Sequence, residues 1–178
     1  MSRDRPRLSL LEAALLLCIV GIALAVFSPT FVRQVRTNKI LEASELLQEL
    51  NDRTAAYYGT SWDGGYRRCL PPGAGPTPTE PTVEPEDVDF FAPTTEGHET
   101  WKALGFQPER AIRYSYRYML SESGCGLGGD GKDAPITFRA EGDLDGDGVR
   151  SRFERQARPN LDGTLQPIGE LHVHQRVE

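Results

Sequence analysis

Histidine and cysteine are scarce in this chain, which has three residues of each among 178. No Ser-His-Asp, Cys-His or paired-carboxylate arrangement can be assigned among its residues, and such arrangements are what most nucleophilic and acid-base catalysts require. The sequence therefore predicts that the protein is not an enzyme.

Basic residues are also in deficit, because 20 Lys and Arg face 26 Asp and Glu, for a formal net charge of -6. Residues 1–7 contain three Arg and one Asp, so removing their +2 leaves -8 on the rest of the chain. Proteins that bind nucleic acid neutralise its phosphates with basic side chains. The sequence therefore predicts no nucleic-acid partner.

One long apolar run is present, residues 8–27, and Glu12 is its only charged residue. About 20 apolar residues suffice to cross a bilayer as a helix. A carboxylate inside the bilayer costs about 2.5 to 3.5 kcal/mol on insertion scales. Glu12 is therefore expected to have a functional role. The basic leader, residues 1–7, is expected to stay on the cytoplasmic side. The run therefore predicts a single membrane span with the rest of the chain on the outer side.

The start of this run, Leu8–Glu12, reads Leu-Ser-Leu-Leu-Glu after a short basic leader. It resembles the type IV pilins and the pseudopilins of type II secretion, whose mature chains begin with a pattern like Phe-Thr-Leu-Ile-Glu. Pro29, the twenty-second residue counted from Leu8, falls where many of these proteins carry a helix-bending proline. The resemblance implies a methylated N-terminus at Leu8 and a Glu12 that pairs with the N-terminus of a neighbouring subunit.

The same resemblance implies a function, partners and a location. The protein would be a structural subunit of a type IV pilus or a type II secretion filament, and its partners would be other pilin or pseudopilin subunits and an inner-membrane assembly platform. Before assembly it would sit in the bacterial inner membrane as a single-pass protein with its head in the periplasm. After assembly it would belong to the pilus or secretion filament.

Processing of the apolar run stays open at the level of the sequence. Arg7 stands where the family's leader ends in Gly, so cleavage before Leu8 is undecided. A cleaved secretory signal is one alternative, because residues 23–25 form a small-x-small cleavage site, although a Glu in the apolar region fits such a signal poorly. A lipoprotein signal ending at Cys18 would need a small residue at the position of Leu17. A plain single-pass anchor is the third alternative.

Helical periodicity continues beyond the apolar run. Mostly apolar residues recur at a spacing of three to four, namely Ile40, Ala43, Leu47, Leu50, Thr54 and Tyr57. The spacing predicts one long helix over residues 8–59, whose first half spans the membrane and whose second half packs under a head formed by residues 60–178.

The head is predicted to contain an acidic, proline-rich loop, a short helix and four strands. The density of prolines and acids gives loop 62–95, and the apolar residues Trp101, Leu104 and Phe106 indicate a short helix over 96–105. The alternation of apolar and polar residues gives strands 112–120, 136–140, 152–155 and 171–177. The predicted fold class is α+β, a long N-terminal helix packed against an antiparallel meander sheet, as in pilins.

The cysteines divide by location. Cys18 lies in the apolar run, which leaves Cys69 and Cys125 together in the part of the chain predicted to be exported. An oxidising compartment favours a disulfide between them, which would contribute about 4 kcal/mol by the chain-entropy model. Two free thiols are the alternative.

Residues 143–154 match the ligand spacing of a twelve-residue calcium loop. The predicted ligands are Asp143, Asp145, Asp147, Ser151 and Glu154. Calcium takes about six to eight oxygens, which such a set could supply. Strand-like sequence flanks the loop, so a glycine-rich hairpin turn with solvated acids is the alternative. Calcium is thus the one suggested cofactor, and a membrane-anchored or secreted calcium-binding recognition module is the alternative function.

Overall fold

The computed structural model describes residues 10–62, 65–66, 68–127 and 135–174, without the side chains of residues 26–39, 62 and 66. The chain divides into two compact units, Met1–Lys39 and Ile40–Glu178. The predicted leader and Leu8 lie outside the described residues, and so does the side chain of Pro29.

Helix α1 is Leu10–Tyr58, and its described side chains fall into residues 10–25 of the first unit and residues 40–58 of the second. The longer of these segments has about 19 residues, and no helix in the described part of the chain is long and apolar enough to cross a membrane. The predicted fold, with a pilin-like helix spanning the membrane over residues 8–27, is therefore wrong.

Residues 40–58 of α1 bury one face in the core of the second unit. Ala43, Leu47, Leu50 and Thr54 are fully buried, at the spacing that the sequence indicates. The helix ends before Gly59, where an added Cβ would lie 2.8 Å from the carbonyl oxygen of Gly163. A side chain at position 59 would therefore displace the turn that contains Gly163.

The strands of the second unit are short at first and longer towards its end. In chain order they are β1 Ser61–Trp62, β2 Gly65–Tyr66, β3 Cys69–Leu70, β4 Ala74–Thr77, β5 Ser115–Met119, β6 Gly124–Cys125, β7 Ile136–Gly142, β8 Ser151–Pro159 and β9 Leu165–His174. Five of them form an antiparallel sheet in the order β4-β5-β7-β8-β9. Two small ladders, β1 with β2 and β3 with β6, lie outside that sheet. The head is thus α+β with an antiparallel sheet.

One face of the sheet forms the core against residues 40–58. Tyr114, Tyr116 and Tyr118 alternate along β5 and its approach, and all three are buried, as are Phe138 of β7 and Phe153 of β8. Side chains two residues apart share a sheet face, so this alternation places every aromatic ring inward. The four strands predicted from alternation correspond to β5, β7, β8 and β9, of which β8 and β9 begin earlier than predicted, while residues 175–177 of the last predicted strand lie outside the described residues.

The proline-rich segment 62–95 is more ordered than the predicted loop, because it contains β3 and β4. Proline lacks a backbone donor, which an edge strand such as β4 tolerates. Helix α2, His98–Leu104, fixes this segment: the indole Nε1 of Trp101 donates to Thr77 Oγ1 at 3.0 Å, and Thr100 Oγ1 donates to the carbonyl of Pro72 at 3.0 Å. A short helix near residues 96–105 is the one the sequence predicts.

Candidate functional site

The acid-rich hairpin between β7 and β8, residues 143–150, is organised by its own aspartates. Asp143 accepts a hydrogen bond from the Gly146 N–H at 2.9 Å and another from the Gly148 N–H at 3.0 Å. Both glycines have positive φ, 77° and 86°, which residues with a Cβ rarely adopt. Asp147 accepts from the N–H of Val149 at 2.7 Å. The backbone of the hairpin therefore folds around the Asp143 carboxylate.

This wrapping brings three of the five predicted calcium ligands together. One oxygen each from Asp143, Asp145 and Asp147 lies within 4.8 Å of the other two. Asp145 and Asp147 are exposed, while Asp143 is half-buried. Each carboxylate oxygen has two lone pairs, so an oxygen that accepts an N–H can still coordinate a cation. Oxygen donors at this separation suit calcium, and three carboxylates could offer up to about six of them.

The other two predicted ligands point elsewhere. Ser151 is buried at the start of β8, and its hydroxyl donates to the Gly142 carbonyl at 3.1 Å. Glu154 Oε1 accepts from Arg139 Nε at 2.6 Å on the outer face of the sheet. The strand alternation of β8 thus directs both side chains away from the hairpin, and the five-residue ligand set stays a prediction.

The predicted disulfide between Cys69 and Cys125 is confirmed, with an S–S distance of 2.03 Å. It joins β3 to β6, in which the two cysteines are direct partners of the antiparallel ladder. The chain after β6 is also tied to this point, because the N–H groups of Gly126 and Leu127 donate to the Arg68 carbonyl at 3.0 and 3.3 Å. Cys18 is a free, exposed cysteine.

Residues 10–25 present an apolar surface. Nine large aliphatic side chains are at least half exposed: Leu10, Leu11, Leu15, Leu16, Leu17, Ile19, Val20, Ile22 and Leu24. Glu12 is exposed on the same helical segment. Of the predicted assembly residues, Glu12 is therefore the one whose side chain the structure describes.

A buried carboxylate, Glu42, joins residues 40–58 to the sheet. Its side chain is 6% exposed, and Oε1 accepts from the backbone N–H of Arg113 at 2.7 Å and of Tyr114 at 3.4 Å. Burial, and then the nearby Glu42 carboxylate, raise the pKa of the Tyr114 and Tyr116 hydroxyls above the ordinary value of 10.0. Both tyrosines therefore stay neutral wherever the head is folded at physiological pH.

A feature that the sequence did not indicate is a groove of about 700 Å³, here called the helix groove. It lies between the side of α1 from Ser44 to Ala56 and Arg155 of β8. Arg155 lies on the same face of β8 as the buried Phe153. The sequence did not indicate this position, because a charged residue is expected on the solvated face.

Comparison with known proteins does not assign these features to a family. No family model matches the chain, and neither the curated proteins nor the solved structures contain one that is significantly similar to it.

Proposed function

We propose that the protein is a structural subunit of a filament, a pilin, minor pilin or pseudopilin of a type IV pilus or type II secretion system, which assembles through residues 10–25. The supporting observation is the row of nine large aliphatic side chains that this segment exposes. Contiguous apolar surface of this kind marks an interaction site in most proteins. The disulfide between Cys69 and Cys125 supports a head in an oxidising compartment, the periplasm, with assembly at the bacterial inner membrane.

Burial of this surface supplies the driving force for assembly. Covering one exposed Leu or Ile side chain contributes about 1.5 to 3 kcal/mol, so covering the row contributes on the order of 10 kcal/mol per subunit. Helices of neighbouring subunits offer aliphatic side chains to cover it. Within such a contact the Glu12 carboxylate would be withdrawn from water, and the amino terminus of a neighbour would supply a counter-charge.

The test is crosslinking of Cys18, an exposed thiol in the middle of the segment. In cells that produce the full chain, a short bismaleimide should link Cys18 of one copy to Cys18 of another. The change Glu12→Ala should lower the linked fraction about tenfold or more, because it removes a buried charge pair. The head should keep its disulfide, as checked by mass under non-reducing conditions.

The control variant is Glu122→Ala, which removes an exposed carboxylate from the second unit. It should crosslink like the wild type. In a Cys18→Ser background, single thiols at Leu16, Ile19 and Ile22 sample the other sides of the segment. The proposed assembly would be ruled out if Glu12→Ala crosslinked as efficiently as the wild type, or if none of these positions gave a crosslink.

A second candidate, a calcium-binding recognition module, is favoured by the convergence of the three aspartates. Asp143, Asp145 and Asp147 would hold the ion, which would cancel their mutual repulsion and stiffen the hairpin. Calcium at about 100 times its dissociation constant would stabilise the head by about 2.7 kcal/mol. The two candidates are compatible, because the hairpin belongs to the second unit and residues 10–25 to the first.

Chelation tests whether the protein binds calcium. Adding EGTA to the calcium-loaded protein should lower the melting temperature by about 5 °C or more, and Asp145→Ala should abolish that shift. The matched control is Asp162→Ala, since Asp162 also accepts a backbone N–H in an exposed hairpin, from Thr164 at 3.0 Å. Its melting temperature should still respond to EGTA. No response of the wild type would remove calcium from the proposal.

A further inference from the structure

The two halves of the disulfide in the head differ in their access to solvent. Cys69 is 6% exposed and lies in the buried strand β3, whereas Cys125 is exposed, as is the rest of β6. A glycine stands on each side of Cys125, and a Cβ added to Gly124 or Gly126 would meet no atom within 4 Å in the described part of the chain, apart from its immediate neighbours. Cys125 is therefore the half of the bond that an approaching chain can reach.

The disulfide also forms part of the wall of a pocket of about 380 Å³, here called the disulfide pocket. Its lining includes an aromatic ring and several apolar side chains: Tyr57, Leu70, Pro71, Pro72 and Ala103. Among the described residues that line it, Glu99 is the one that carries a charge. Such a lining suits an uncharged, apolar group. The pocket would hold that group next to Cys125.

The chain around Cys125 depends on the bond for its position. Strands β3 and β6 pair over two residues each, and the Arg68 carbonyl accepts from the N–H groups of Gly126 and Leu127. The Tyr58 hydroxyl donates to the Leu127 carbonyl at 2.6 Å. Hydrogen bonds of this kind exchange readily for bonds to water when the groups become solvated. Opening the disulfide should therefore release this part of the chain.

We propose that the disulfide between Cys69 and Cys125 is a site of thiol–disulfide exchange with a protein dithiol. The partner places an apolar side chain in the disulfide pocket, and its thiolate attacks Sγ of Cys125. A sulfur–sulfur bond forms between the partner and Cys125, while the bond to Cys69 breaks and its electron pair stays on the Cys69 sulfur as a thiolate.

The second thiolate of the partner completes the exchange. It attacks the mixed disulfide at the partner's own sulfur, and Cys125 leaves as a thiolate. The partner's two thiols become a disulfide, the disulfide of this protein becomes two thiols, and the two protons that the dithiol loses are taken up by Cys69 and Cys125. The exchange then releases β6 from β3. A small thiol lacks the side chain that would occupy the pocket, so the preferred reductant is a protein.

Trapping the mixed disulfide tests which sulfur is attacked. The full chain with Cys18→Ser is mixed with reduced thioredoxin whose second active-site cysteine has been replaced by serine, and iodoacetamide then blocks every free thiol. Peptide mass spectrometry without reduction should find thioredoxin on Cys125 and the alkyl group on Cys69 at least about tenfold more often than the reverse, because access selects the sulfur. Equal trapping at both cysteines, or no mixed disulfide at either, would overturn the proposal.

A blocked pocket tests the role of the apolar lining. Ala103→Arg places a long charged side chain at an exposed position of the lining, and should slow reduction by intact thioredoxin about tenfold while leaving the rate with dithiothreitol unchanged. The matched control is Ala56→Arg, the same change at an exposed alanine outside this pocket, which should alter neither rate. An unchanged thioredoxin rate in Ala103→Arg, or an equal loss with both reductants, would show that the pocket does not receive the partner.

Amide hydrogen exchange tests the release of the chain. After reduction by thioredoxin, the amides of Gly126 and Leu127, which donate to the Arg68 carbonyl, should lose protection. The Arg113 amide, which donates to Glu42 in another part of the head, should keep it. Persistent protection of Gly126 and Leu127 after reduction would contradict a release that is controlled by the disulfide.

Discussion

Replacing both Cys69 and Cys125 by Ser is expected to lower the free energy of unfolding by about 4 kcal/mol. The disulfide joins residues separated by 56 positions, so in the unfolded chain it closes a long loop and removes much of its conformational freedom. Without the bond, the unfolded state regains that freedom. A small head of this size has about 5 to 15 kcal/mol in all, so the loss is a large part of its stability.

The ladder that carries the bond is short. Strands β3 and β6 pair over two residues each, and Gly124 and Cys125 are exposed. Apart from the disulfide, this ladder and the donors of Gly126 and Leu127, the main connection is the Tyr58 hydroxyl, which donates to the Leu127 carbonyl at 2.6 Å. The segment after β5 should therefore detach first when the cysteines are replaced.

Urea unfolding followed by tryptophan fluorescence measures the effect, since Trp101 is fully buried. The matched control is Cys18→Ser, which removes an exposed thiol and should change the free energy of unfolding by less than about 0.5 kcal/mol. Reduction of the wild type should reproduce the double serine variant. A loss below about 1 kcal/mol would show that the disulfide does not stabilise the head.

Several parts of the fold were predictable because local periodicity and tertiary packing agree. The stripe Ala43, Leu47 and Leu50 is buried where helical spacing places it, and the alternation around Tyr116 marks a real strand. The pairing of Cys69 with Cys125 followed from the location of the third cysteine. In each case the spacing of the residues along the chain matches the period of the helix or strand in which they lie, or leaves one pairing for the cysteines of the head.

Other features could not be predicted because they depend on where strands begin. Ser151 and Glu154 have calcium-loop spacing, but β8 starts at Ser151, and from that residue the strand period decides where side chains point. Asp143, Asp145 and Asp147 precede the strand and converge in the turn. The membrane span was predicted from the hydropathy of residues 8–27, the basic leader and the resemblance to pilins, none of which shows what covers these side chains.

Glu42 is the least predictable residue of the head, because its charge would place it on the solvated face of an amphipathic helix, yet it is buried. Glu42→Ala is expected to lower the free energy of unfolding by about 3 to 5 kcal/mol. The alanine would leave the N–H groups of Arg113 and Tyr114, at the approach to β5, without this acceptor. Arg113 Nη1, now 3.4 Å from Glu42 Oε2, would also lose its counter-charge.

Two variants separate the charge from the hydrogen bonds. Glu42→Gln keeps an acceptor oxygen and should cost only about 1 to 2 kcal/mol, while Glu45→Ala, one turn away and 57% exposed, should cost less than about 0.5 kcal/mol. Urea unfolding gives the three free energies. Amide hydrogen exchange locates the change, since the Arg113 and Tyr114 amides should lose protection in Glu42→Ala. Equal losses for Glu42→Ala and Glu45→Ala would mean that the carboxylate does not join the helix to the sheet, which would leave apolar packing alone to hold residues 40–58 in place.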